Sequence, residues 1–158
     1  MEKNKIVKIG CASAFWGDTS SAAPQLVYSG NIDYLVFDYL AEVTMSILAG
    51  AKLKNTDMGY ATDFVKHMSP ILSEVKKRGI KVISNAGGIN PEACRATVME
   101  EAKKAGVELN IALVKGDNLV DQKKQLQALP VTELETGQTM PDGITSINAY
   151  LGAHGIQH

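Results

Sequence analysis

Asp38 and Glu42 stand four residues apart in Asp38-Tyr-Leu-Ala-Glu42, directly after an apolar run. If Asp38 ends a strand and Glu42 opens a helix, both carboxylates face one crevice. Different surroundings then let one work as a general acid and the other as a base. Helix capping and dipole complementarity are the competing uses of the same residues. Further on, Asn85-Ala-Gly-Gly-Ile-Asn90-Pro91 sets two glycines ahead of a helix start. Glycine lets backbone approach a ligand closely, and a helix N-terminus offers unpaired N–H groups. Asn85, Gly87, Gly88 and Asn90 therefore form a candidate cradle for a phosphate, carboxylate or thioester oxyanion. A tight strand-to-helix turn accounts for the glycines equally well, since the segment is neither a P-loop nor a GxGxxG fingerprint.

The segment Gly10-Cys-Ala-Ser-Ala-Phe-Trp-Gly-Asp18 adds two candidates. Trp16, the only tryptophan, either stacks on a planar ligand or plugs the end of a sheet, and the plug is the better reading. Asp18 is a substrate-orienting carboxylate if Thr19 or Ser20 takes the capping role. Asp117, in Lys115-Gly-Asp-Asn118, is a further substrate-binding candidate or a simple helix cap. Oxygen ligands such as Asp18, Asp38, Glu42, Asp63 and Asp117 suit a hard divalent cation, but no spacing fixes a metal site, and no cofactor is specified. Cys94 falls on the apolar stripe of its helix and reads as core. Cys11 follows an apolar run and reads the same way. His67, His154 and His158 show no ligand spacing and receive no role. Tyr60 is either a proton donor or a packing residue.

Four short apolar runs position these residues: Ile6–Ile9, Tyr34–Phe37, Ile80–Ile83 and Ile111–Val114. They predict strands near 6–10, 34–38, 80–84 and 110–115, buried on both faces as in a parallel sheet. Between them, Phe64, Val65, Met68, Ile71, Leu72 and Val75 trace one helical face from Thr62 to Lys76-Lys77-Arg78-Gly79, with a kink near Pro70. Asn90-Pro91-Glu92 opens another helix with a capping side chain and proline at the first position. A helix over Glu42–Lys54 puts Val43, Ile47, Leu48 and Ala51 on one side. Alternating strands and helices predict an α/β fold with a parallel-dominated sheet covered by helices on both faces. A doubly wound layer is preferred, with half of a (βα)8 barrel as runner-up. In either, ligands bind beyond the carboxyl ends of the strands. Asp18, Asp38 and the Gly87-Gly88 backbone should then line one cleft. Residues 130–143 read as an irregular connection, and 144–151 as one more ordered element.

At 158 residues the chain has room for one domain, and 45% hydrophobic against 21% charged residues is a globular balance. A formal net charge of −1 gives no footprint for nucleic acid. No stretch has the ~18 apolar residues of a membrane span, and two cysteines make no disulfide framework. The expectation is a soluble, cytoplasmic α/β domain over residues 1–158.

Several segments together resemble one family. Phe15–Asp18, Asp33–Met45, Gly59–Phe64, Ser84–Pro91, Lys115–Asp117 and Ser146–Gly152 are similar, in order, to acyclic terpene utilisation (AtuA-like) proteins. The resemblance implies a place in catabolism of acyclic terpenoids such as citronellol and geraniol, a route through acyl-CoA thioesters. It also implies a longer protein, of which this chain is an incomplete N-terminal part. It carries over no catalytic residues. Two functions follow as expectations. One is an enzyme, or its catalytic part, acting on a small organic acid or acyl-CoA, with Asp38 and Glu42 as acid and base. The other is a non-catalytic module that binds acyl-CoA or docks on a partner enzyme. An oligomer or companion chain is expected to cover an exposed apolar patch at residues 144–158.

Overall fold

Three of the four apolar runs pair into a sheet in the computed structural model, which describes residues 6–157. The chain forms two compact units, the first ending at Ile111 and the second beginning at Ala112. In the first, strand β1 (Ile9–Ser13) leads to helix α1 (Ala22–Ser29), strand β2 (Tyr34–Phe37) and helix α2 (Glu42–Lys54). Helix α3 (Thr62–Met68) passes through a 3-10 turn at Ser69–Ile71 into α4 (Leu72–Arg78), then strand β3 (Lys81–Ser84) and α5 (Pro91–Lys104). The interruption at Ser69 is the break that Pro70 imposes, and Gly79 closes α4 in the left-handed conformation at φ 67°.

The sheet order is β1-β2-β3 with both pairings parallel. β1 begins at Ile9 and runs to Ser13, so Gly10–Ser13 belongs to the strand and not to the loop after it. Gly10 permits this, because a Cβ there would lie 3.0 Å from Leu26 Cδ2 and 3.3 Å from Ile32 Cδ1. Its missing side chain leaves room for two others.

The two faces of the sheet are buried unequally. Gly10, Ala12, Leu35 and Phe37 are buried, whereas Ile9 and Cys11 are exposed and Tyr34 and Val36 half-exposed. The strands thus alternate, one side in and one side out. Strand order explains the asymmetry. Both steps across the sheet go the same way, and right-handed crossovers then leave their helices on one side. Covering the second face requires a reversal of direction that three strands in this order do not make. Accordingly α1 packs on α4 and the 3-10 turn, and α5 on α3 and the same turn. Exposed Cys11 is also a correction to its reading as core; Cys94, on the buried stripe of α5 with Val98 and Ala102, is buried as expected.

The fourth run forms no strand. Residues 111–114 find no ladder partner among the described residues and alternate between half-buried and exposed. Apolar periodicity is insufficient without a neighbour to pair with. On α2, Leu48 and Ala49 are buried, but Val43 and Ile47 are 62% and 54% exposed, so the predicted apolar side is only partly covered.

The second unit contains a 3-10 turn at Val120–Gln122 and the short helices α6 (Lys123–Gln127) and α7 (His154–Gln157). Residues 130–143 are irregular apart from a Thr132–Thr139 bridge, and 144–151 contribute only the isolated bridge Asn118–Asn148. None of its described residues is buried, and Tyr150, Leu151 and Ile156 are largely exposed. The buried core of the described residues lies in the first.

There the core centres on β2. Leu35 and Phe37 are at most 1% exposed, and Phe37 stacks on Tyr39 and meets Phe64 edge-on at 5.2 Å. Phe37→Ala should cost about 3–5 kcal/mol, read as a lower urea midpoint.

Candidate functional site at the carboxyl edge of the sheet

Parallel pairing brings the ends of all three strands to one edge. Ser13 is opposite Phe37, and Phe37 is opposite Ser84. Asp38 follows immediately and is tied on both sides. Its N–H donates to the Ser13 carbonyl at 3.2 Å, and its carbonyl accepts from Ser13 Oγ at 3.4 Å. On the β3 side, Asn85 Nδ2 donates to Asp38 Oδ1 at 2.6 Å while Asn85 Oδ1 accepts the Tyr39 N–H at 2.8 Å. One amide side chain thereby fixes both the backbone after β2 and the orientation of the Asp38 carboxylate. Asp38 and Asn85 are exposed. The second Asp38 oxygen, Oδ2, has no hydrogen-bond partner among the described residues. Asp38 and Asn85 are thus two predicted residues, from different strand ends, whose side chains the structure joins directly.

Glu42 opens α2, as predicted, and its side chain is exposed. It stands in the first turn, where the helix dipole favours a negative charge. Asp18 is engaged by its own loop: Ala14 N–H donates to Oδ2 at 3.0 Å and Thr19 N–H to Oδ1 at 2.7 Å. These two bonds, that from Ala14 foremost, hold its carboxyl below the usual carboxylate range. The α1 cap position falls to Ser21, which makes no side-chain cap bond, and Thr19 Oγ1 instead meets Ser21 Oγ at 2.8 Å. Trp16 is half-buried against the core cluster, in keeping with a plug.

Four amides of the Asn85–Asn90 loop are engaged. Ala86 N–H donates to Ser84 Oγ, Gly88 N–H to the Asn85 carbonyl, Ile89 N–H to Gly59 and Asn90 N–H to Gly87. Gly88 has φ 53°, and a Cβ on it would lie 2.5 Å from Leu48 Cδ1 and 2.7 Å from the Gly59 carbonyl oxygen. A Cβ on Gly87 would meet Pro91 Cβ at 2.8 Å. Close packing therefore accounts for both glycines. Asn90 occupies the α5 cap position without capping it. Its Nδ2 donates instead to the Thr56 and Met58 carbonyls at 2.9 and 2.8 Å, clasping the loop after α2. Lys52 Nζ adds a bond to the Ile89 carbonyl at 2.8 Å. Asp117 lies in the second unit, where Oδ2 accepts from Asn148 Nδ2 at 3.1 Å and its carbonyl from Ala149 N–H. Tyr60 is a packing residue, 7% exposed with its hydroxyl 3.0 Å from Thr97 Oγ1. No group of three or more His, Cys, Asp or Glu among the described residues is arranged to hold a metal ion.

One pair escaped the sequence reading. Tyr39, fully buried, places its hydroxyl 2.9 Å from His67 Nδ1. Burial pushes the phenol up to about 12, partly offset by the Ser13 hydroxyl. The signal was present: Tyr39 lies two residues beyond Phe37, on the same side of the chain, and His67 lies three beyond Phe64 on one face of α3.

The profile of the family described as Acyclic terpene utilisation family protein AtuA matches residues 7–158, and the chain belongs to that family. No curated protein and no solved structure matches it. No helix of the described residues is long and apolar enough to cross a membrane.

Removing the Asn85 amide leaves the Tyr39 N–H unpaired, so Asn85→Ala should cost about 1–3 kcal/mol in urea unfolding. Asp18 gives a pH signature. A carboxyl depressed in the folded state adds stability above its unfolded pKa and loses it as pH falls through the folded value. Asp18→Asn should therefore lower the urea midpoint near neutrality, and the difference from the unsubstituted chain should shrink as pH falls below the ordinary aspartate pKa of about 3.9.

Proposed function

We propose that this chain is an enzyme, or the catalytic part of one, in the breakdown of acyclic terpenoids, acting on a branched organic acid or its CoA thioester at the carboxyl edge of the sheet. The observation that carries the reading is the Asp38 carboxylate, held by Asn85 Nδ2 at 2.6 Å with Oδ2 unpartnered and exposed among the described residues. A carboxylate fixed in orientation with one oxygen available is suited to take a proton from a bound substrate. Glu42, four residues on, is the companion acid. Asp18, Trp16, Asn85, Gly87, Gly88 and Asn90 remain substrate-binding candidates at this edge, and Asp117 remains one within the second unit. The engagement of four of the loop's amides favours side-chain contacts over a backbone oxyanion cradle. Family membership supports the substrate class, and near-neutral charge supports a small-molecule partner over nucleic acid. We place the protein in the cytoplasm.

The second reading is a non-catalytic acyl-CoA-binding or assembly module. Exposed Tyr150, Leu151 and Ile156 favour it, since apolar surface of this kind suits cover by another chain or a second copy.

Incubating the purified chain with geranoyl-CoA, citronelloyl-CoA and the free acids, with products followed by mass spectrometry, separates the readings. The enzyme reading expects turnover that Asp38→Asn lowers by about 10²–10⁴-fold with binding retained. Binding without turnover supports the module, and the absence of both overturns the two together.

A further inference from the structure

We propose that α2 docks on itself: its uncovered face pairs antiparallel with α2 of a second copy of this chain, Ile47 of each copy seated over Gly50 of the other. The inference does not depend on turnover at the carboxyl edge, and it concerns a different surface from residues 144–158.

α2 has two apolar faces, and the fold covers one. Of its 13 residues only Glu42, Lys52 and Lys54 carry charge. Leu48 and Ala49 are buried, and Lys52 turns inward to the Ile89 carbonyl at 2.8 Å. No other helix or strand among the described residues packs extensively along α2; its covered side rests on the loops that hold Gly59 and Gly88-Ile89. On the opposite side Val43, Ile47, Gly50 and Lys54 follow at spacings of four, three and four residues, the repeat of a helix that packs along another helix. Val43 and Ile47 are exposed, as is Leu53 on the flank of the stripe. A surface helix ordinarily presents charged and polar side chains there.

Gly50 adds a second observation. Glycine inside a helix weakens it relative to alanine. Nothing local asks for one here, since the backbone is not left-handed and a Cβ would meet no atom within 4 Å. A missing side chain in the middle of an open apolar stripe gives a bulky neighbour room to approach. A twofold axis between Ile47 and Gly50 sets each isoleucine over the partner's Gly50, because in an isologous contact residue i meets j and j meets i. The same axis puts Val43 opposite the partner's Lys54.

The charges select the occupant and its direction. Glu42 and Lys54 stand at opposite ends of α2, both exposed, and neither has an ion-pair partner among the described residues. Antiparallel pairing brings the Lys54 ammonium of each copy to Glu42 of the other, its aliphatic stem lying on Val43. Parallel pairing sets like charge against like at both ends. The stripe is thus complementary to itself, in shape and in charge. A Glu42 so paired is held ionised, which withdraws it as companion acid while the dimer lasts. One pair of helices about 20 Å long is a small contact, so the dimer is weak, with a dissociation constant on the order of 10–100 µM.

The test is sedimentation equilibrium of the full chain, from well below to well above that concentration range. The expected result is a monomer–dimer equilibrium. Ile47→Asp should raise the dissociation constant about 100-fold or more, with circular dichroism and the urea midpoint of the dilute chain unchanged, because Ile47 is exposed in a single copy. Glu42→Lys and Lys54→Glu should each weaken the dimer roughly tenfold, and the two together should return it to within about threefold of the unsubstituted chain. Gly50→Ala should raise the urea midpoint of the dilute monomer while weakening the dimer, opposite movements that a glycine without a docking role would not show. A chain that stays monomeric throughout the range overturns the inference. A dimer that Ile47→Asp leaves intact does so too, since association then belongs to another surface. A double charge reversal that fails to restore what the single ones lose overturns the antiparallel pairing.

Discussion

Parallel pairing is the constraint from which the remaining features of the first unit follow. Strands that run the same way must be joined by crossovers, and their carboxyl ends must share an edge. Because β1, β2 and β3 are laid down in order, those crossovers also share a side. β2 is consequently the middle of everything. Its Leu35 and Phe37 seal the helical side, and the residues just past its end, Asp38 and Tyr39, are the natural meeting point for groups from β1, β3 and α3. The site is thus a by-product of strand order before it is a matter of any particular side chain.

Three small devices turn that meeting point into fixed geometry. Asn85 spans two strand ends with one amide, Asn90 holds the carbonyls of the preceding loop, and Lys52 reaches from α2 to Ile89. Each uses a neutral or singly charged side chain against backbone carbonyls or amides, Asn85 also against the Asp38 carboxylate, and such bonds have directional demands that apolar packing lacks. Gly88 completes the arrangement by letting the loop lie against Leu48 and Gly59. Order at this edge is therefore polar, while order beneath it is aromatic.

How much was legible in the sequence varied with the range of the interaction responsible. Local signals read well. The proline break at Ser69, the glycine stop after Arg78, the start of α2 at Glu42 and the apolar stripe through Cys94, Val98 and Ala102 each depend on a few adjacent residues. The parallel sheet was also legible, because strand and helix patterns alternate. What failed was non-local. Residues 110–115 carry a strand pattern but no neighbour to complete it, and Cys11 was misread because burial on the second face depends on layers the sequence does not place. Asn90 has the identity and position of a cap, yet carbonyls from more than thirty residues upstream capture its amide hydrogens. The contact between Tyr39 and His67 spans 28 residues, and only the packing of α3 on β2 reveals it.

The two cysteines acquire a use from their unequal surroundings. Cys11 lies on the uncovered side of β1, whereas Cys94 is sealed beneath α5, its thiol pushed up by burial to about 11. Since the thiolate is the reactive form, a thiol reagent meets the folded molecule at one sulfur and reaches the other only when α5 lifts away. The rate at which the second sulfur is consumed is then a clock for that opening, built into the chain without any added probe. It reports from directly below the edge where Asn90 begins the helix, so it also times how often that edge comes apart.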